Sequence, residues 1–77
     1  NPFNPSTNIS FEIPSQMQVS LVVYDISGRM VAELVNEVKH ADVYNVVWNA
    51  SQNASGMYIV KLTAGNAVHT QKIMLIK

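Results

Sequence analysis

Apolar side chains recur at every second position in this chain, in short runs separated by turn-forming residues. Ile9, Phe11 and Ile13 alternate with Asn8, Ser10 and Glu12. Val19, Leu21 and Val23 share one phase, and Gln18 and Ser20 the other. Tyr44, Val46 and Trp48 form a third run, and Tyr58, Val60 and Leu62 a fourth. A period of two places such residues on one face of a pleated strand, whereas on a helix it would scatter them round the axis. Runs spaced roughly ten residues apart and bounded by turn signals predict an all-β sandwich or barrel. At 77 residues the chain is one small domain, and a domain of this size buries only about 60 % of its unfolded surface.

The connections follow from the residues between the runs. Pro14 and Ser15 break the first strand. Val22 and Tyr24 make the second strand apolar on both faces, which predicts a central position in its sheet. Asp25 to Arg29 reads as a turn, begun by Asp25 and closed by Gly28 with a positive φ, the pattern of a type I turn with a glycine bulge. Met30 to Val35 is the return strand. Its apolar residues Val31, Leu34 and Val35 do not alternate, so a bulge or a short helical stretch is expected there. Asn36 to Asp42 is polar and reads as a loop, as does Asn49 to Ser55. Ala64-Gly65-Asn66 is a tight turn, and Ala67 to Lys77 is the last strand, apolar on both faces from Ile73 to Ile76. This gives six strands over residues 8–77. Residues 1–7, Asn-Pro-Phe-Asn-Pro-Ser-Thr, read as a stiff extended lead-in with Phe3 as an apolar anchor. An opening of this kind, without an initiator Met or a signal peptide, suits a junction with a preceding domain.

Composition narrows the function. With 48 % hydrophobic residues and 13 % charged ones the chain can fill a core and is too apolar for disorder. Net charge is zero and five Lys/Arg are scattered, so there is no basic stripe for nucleic acid. No apolar run approaches the roughly 20 residues of a membrane-spanning helix. There is no Cys for a disulfide or a thiolate site. His40 and His69 lack the spacing of metal ligands and read as surface residues, and no cofactor is expected. The carboxylates Glu12, Asp25, Glu33, Glu37 and Asp42 are dispersed. Asp42 beside His40 lacks a nucleophile elbow or an oxyanion turn to complete a triad, so the chain is read as non-catalytic. Three Asn-x-Ser triplets, at Asn8, Asn49 and Asn53, match the glycosylation pattern that short polar segments generate by chance. Trp48 reads as the largest piece of a small core rather than a ligand platform. Arg29 and Lys61 read as solvent-facing.

Taken in order, the opening Asn1 to Thr7, Ile9-Ser10-Phe11, Val19 to Asp25, Gly28-Arg29, Val31 with Leu34-Val35, Val46-Val47-Trp48-Asn49, Ser55-Gly56-Met57-Tyr58 and Lys72 to Lys77 form a pattern. Together they resemble the type A C-terminal sorting domain of the type IX secretion system of Bacteroidota and related bacteria. The resemblance covers essentially the whole chain. It implies an immunoglobulin-like antiparallel β-sandwich of about six to seven strands. It also implies a role as the address of a larger exported cargo in the same chain, which passes the periplasm on its way to the cell surface or the medium. The implied partners are the outer-membrane translocon and a surface sortase. The implied recognition residues are Gly56, Tyr58, Lys72, Ile73, Met74, Leu75, Ile76 and Lys77. An apolar terminal strand with a basic end can be offered to a receptor as an added β-strand. The competing expectation is a passive immunoglobulin-like or fibronectin-like spacer, an adhesion module or a filament subunit that uses its sheet edges.

Overall fold

The computed structural model describes residues 2–77, with side chains from residue 4 onward. It contains seven strands: β1 (Pro2–Phe3), β2 (Ser6–Ile13), β3 (Met17–Asp25), β4 (Met30–Lys39), β5 (Asp42–Asn49), β6 (Gly56–Ala64) and β7 (Ala67–Leu75). They form two sheets, a five-stranded one in the order β1-β7-β6-β3-β4 and a two-stranded one, β2-β5. Every pairing is antiparallel except that of β1 with β7. The fold is all-β and compatible with an immunoglobulin-like sandwich. No helix long and apolar enough to cross a membrane occurs among the described residues.

The alternation seen in the sequence sets which faces meet. Phe11, Ile13 and Trp48 from the small sheet pack against Val19, Leu21, Val23, Val35, Tyr58, Val60, Ile73 and Leu75 from the large one, with Ala50 at one end. Ile9 and Val46, cross-strand partners expected in the core, are half-buried against it. Trp48 is 4 % exposed, and its ring meets that of Tyr58 edge-on at 5.2 Å. Phe11 and Tyr44 lie opposite each other in the β2–β5 ladder and stack at 5.5 Å. Such ring pairs contribute roughly 0.5–1.5 kcal/mol beyond their buried area. β3 has a neighbour on each side, as its two apolar faces predicted.

The 25–29 turn forms as expected. Gly28 has φ +89°, the Gly28 N–H donates to the Asp25 carbonyl (3.0 Å), and the Asp25 N–H donates to the Arg29 carbonyl (2.9 Å). The Asp25 carboxylate also accepts from the N–H groups of Ser27 (2.9 Å) and Arg29 (3.0 Å). The irregular pattern of β4 is explained by two register shifts, one between Leu21 and Val22 and one between Val23 and Tyr24. Leu21 pairs with Val35 and Val22 with Glu33, which leaves Leu34 as an extra residue. Val23 pairs with Ala32 and Tyr24 with Met30, which leaves Val31 as another. Each bulge shifts the phase by one residue, so alternation fails while the strand continues.

Three expectations are corrected. The segment 36–42 is not a loop: β4 runs on to Lys39 and only His40 and Ala41 connect it to β5. Its polar character belongs to an edge strand, with Ser20 opposite Asn36 and Gln18 opposite Val38. The last strand stops at Leu75, and Ile76 and Lys77 lie beyond it. The opening residues enter both sheets: Pro2–Phe3 pairs with Met74–Leu75, and Ser6 and Thr7 pair with Asn49 and Trp48. Asn1 and the Phe3 side chain, the expected anchor, lie outside the described residues.

Candidate functional site

The two segments singled out by the sequence meet at one corner of the large sheet. β6 and β7 run antiparallel, with Gly56 opposite Leu75, Tyr58 opposite Ile73, Met57 opposite Met74 and Ile59 opposite Lys72. Alternation then divides the eight candidate residues. Tyr58, Ile73 and Leu75 point inward and are core residues. Lys72 and Met74 take the outward phase, with Met74 39 % exposed, and Ile76 beyond the strand is 47 % exposed. Gly56 is half-buried and holds φ +151°, a backbone conformation that favours glycine. Lys77 is exposed.

The same corner is fastened to the loop over residues 50–55. The Tyr58 hydroxyl donates to the Ala54 carbonyl at 2.6 Å. The Lys77 ammonium donates to the Ser51 carbonyl at 2.7 Å, and the Lys77 backbone N–H donates to the Ser55 hydroxyl at 3.1 Å. From the other side the Ala50 N–H donates to the Pro5 carbonyl at 2.8 Å, and Asn49 Oδ1 accepts from the Ser51 N–H at 2.9 Å. A Tyr near the start of a strand whose hydroxyl bonds a carbonyl a few residues upstream is a recurrent corner of immunoglobulin-like sandwiches. Tyr58, two residues inside β6 after a small polar loop, carried that signal. The Lys77 contacts, 26 residues distant in sequence at Ser51, carried none.

Lys72 and Lys77 therefore do different things. Lys77 folds onto the 50–55 loop. Lys72 stands on the outer face of the large sheet, opposite Ile59, next to a row that retains apolar character: Tyr24, Met30, Met57 and Met74 share that face. The sequence marks Tyr24 and Met74 as parts of strands apolar on both faces, but gives no sign that Met30 and Met57 lie beside them. Val22, on the same outward phase, is itself buried.

The remaining polar groups serve the fold. The Asp25 carboxyl is held below the ordinary aspartate range, chiefly by the Ser27 hydroxyl and then by the Arg29 N–H. The Lys39 ammonium is held above its ordinary range by the Glu37 carboxylate at 2.7 Å and lies 4.8 Å from the centre of the Tyr44 ring. Asp42 accepts from the Val43 N–H at 2.7 Å, and the His40 carbonyl accepts from the Tyr44 hydroxyl at 2.7 Å. Asn8, Ser10 and Asn45 form a hydrogen-bonded ladder on the exposed face of the small sheet. Among the described residues no three His, Asp or Glu side chains converge as a metal site would require.

Comparison with known proteins adds what geometry alone lacks. Searches of curated proteins and of solved structures returned no match. A family model described as "Secretion system C-terminal sorting domain" matches residues 1–77. With the match spanning the whole chain, and with an all-β two-sheet fold of the kind the resemblance implied, this chain belongs to the C-terminal sorting domain family of type IX secretion.

Proposed function

We propose that the domain is the address by which a larger cargo protein is delivered to the outer-membrane translocon, carried across and handed to a surface sortase for display or release. The observation that carries this reading is the family match along all 77 residues. In this reading the cargo crosses the periplasm with the domain folded, and the chemistry belongs to the cargo or the sortase. The part of the corner accessible to a receptor is Gly56, Lys72, Met74, Ile76 and Lys77. Tyr58, Ile73 and Leu75 act by holding β6 and β7 in register beneath them. A receptor meeting this face finds a cation beside apolar side chains and, next to them, the backbone edge of β7 from Ala67 to Ile73, which has no partner strand among the described residues, the combination that strand addition uses for affinity and orientation.

The test is a reporter fused ahead of residues 1–77, behind a signal peptide, in a host with a type IX system. Lys72→Ala is expected to change stability by no more than about 0.5 kcal/mol, and combining it with Lys77→Ala adds a cost of about 0.5–1.5 kcal/mol for the lost bond to Ser51. The reading expects the double variant to accumulate inside the outer membrane while still folded, its melting temperature lowered only by the loss of that bond. Lys72→Ala alone leaves the Lys77–Ser51 contact intact and separates recognition from anchoring of the loop. Normal export of the double variant removes the lysines from the mechanism. Among the described residues the outer edge of β4 and that of β7 from Ala67 to Ile73 have no partner strand, which favours a second reading, a spacer or filament module, and this predicts an intact fusion that stays in the periplasm.

A further inference from the structure

The large sheet has an unfinished edge. β7 is nine residues long and is bonded along its whole length to β6, but on its other side β1 covers only Met74 and Leu75. Among the described residues, the outer edge from Ala67 to Ile73 has no partner strand. A row of unpaired N–H and C=O groups is a template for another extended backbone. The small sheet stops short on the same side. Among the described residues it has two strands, and β2 is bonded to β5 alone. Between β2 and β7 runs an open groove of about 250 Å³, lined by Ile9, Phe11, Leu21, Val60, Leu62 and the backbone and side chains of 69–71. His69 and Gln71 lie on the inward phase of β7, opposite Leu62 and Val60, yet both are exposed.

β1 defines what fits. It runs parallel to β7 and reaches the pair Phe3–Leu75 from the pair Pro2–Met74. The direction of β1 at Pro2–Phe3, extended backwards, points along β7 toward Ala67, on the open side of the sandwich. A C-terminal sorting domain follows a cargo, so the parent chain supplies residues there. We propose that the segment immediately preceding Asn1 continues β1 as a full parallel strand on the free edge of β7 and closes the groove. Counting back along both strands, Ala67 is reached six residues before Asn1. Parallel partners present side chains to the same face. The second and fourth residues before Asn1, opposite Gln71 and His69, therefore face the groove and are expected to be apolar or small.

This placement deepens the functional reading above and rests on the family assignment that puts a cargo ahead of the domain. The junction between cargo and address is then part of the sheet, and a receptor strand that adds to β7 has to displace it. Binding at β7 and release of the junction become one event, which exposes the junction to a cutting enzyme only after the address has been read.

The experiment compares hydrogen exchange in the intact parent chain with that in a variant whose six residues before Asn1 are all Pro. Proline has no N–H to donate and cannot complete a ladder. In the intact chain the outward-pointing amides between Ala67 and Ile73 should exchange at least about tenfold more slowly than in the hexaproline variant. The amides of β3 and β6 should be unchanged in both, which verifies that the variant folds. Equal rates at Ala67–Ile73 in the two chains overturn the proposal. So does protection in both chains that rises with protein concentration, since that assigns the edge to a second copy. No secretion machinery enters the measurement, so its failure is distinct from failure of the export reading.

Discussion

Replacing Tyr58 with Phe removes one oxygen and keeps the ring. The ring is 6 % exposed and meets Trp48 at 5.2 Å; both features survive in Tyr58→Phe. What is lost is the 2.6 Å bond from the hydroxyl to the Ala54 carbonyl. A bond of this kind contributes about 0.5–1.5 kcal/mol net. The orphaned carbonyl sits in an exposed loop where water can reach it, so the upper part of that range is not expected. A loss of ~1 kcal/mol lowers the melting temperature of a 60–100-residue domain by ~4–8 °C. Urea unfolding should show a lower midpoint at an unchanged slope, because the surface buried on folding is the same. Tyr58→Ala should cost far more, about 3–5 kcal/mol, as it empties the space beside Trp48. Exchange of the amides in 51–55 should also accelerate in Tyr58→Phe, since the hydroxyl is one of the ties on that loop. If Tyr58→Phe melts with the parent, or falls as far as Tyr58→Ala, the corner bond does not work as described.

Trp48→Ala should cost about 3–5 kcal/mol by the same cavity argument, measured by denaturant unfolding; a change under ~1 kcal/mol would contradict its place in the core. Gly28→Val should cost roughly 1–3 kcal/mol, because φ is +89° while a Cβ there meets nothing within 4 Å. The strain is in the backbone, so Gly28→Asn, which tolerates a positive φ, should cost less, and equal melting of the two variants would count against the turn. The depressed pKa of Asp25 means that its stabilisation is complete above the ordinary aspartate range and is lost as pH falls through the folded value. Asp25→Asn should therefore flatten the acid limb of a stability-against-pH curve below about pH 4, and an unchanged acid limb would refute the linkage.

Much of the fold was legible because burial repeats every two residues. The phases of Ile9 to Ile13, Val19 to Val23, Tyr44 to Trp48 and Tyr58 to Leu62 all point as their patterns indicated. The places where reading failed share a cause. The far half of β4, from Asn36 to Lys39, is an edge with an exposed polar face, and its identity as a strand comes from bonds to β3 rather than from its own pattern. β1 is two residues long and exists through its partner β7. The division into five strands and two was not legible, since the pattern says which face is buried but not which strand lies beside which. The candidate residues Gly56 and Tyr58 lie against Ile73 to Leu75, but their division into inward and outward residues across β6 and β7 was not legible in the sequence. The anchoring of Lys77 to Ser51 and Ser55 is a long-range contact of an exposed side chain, invisible to periodicity.

The central claim, that residues 1–77 are sufficient as a type IX address, is tested most directly by where a fused reporter ends up. The fusion should reach the cell surface or the medium in a host with a working type IX translocon, and should remain in the periplasm of an otherwise identical host that lacks it. A reporter found in the periplasm of both hosts, or outside both, would contradict the account.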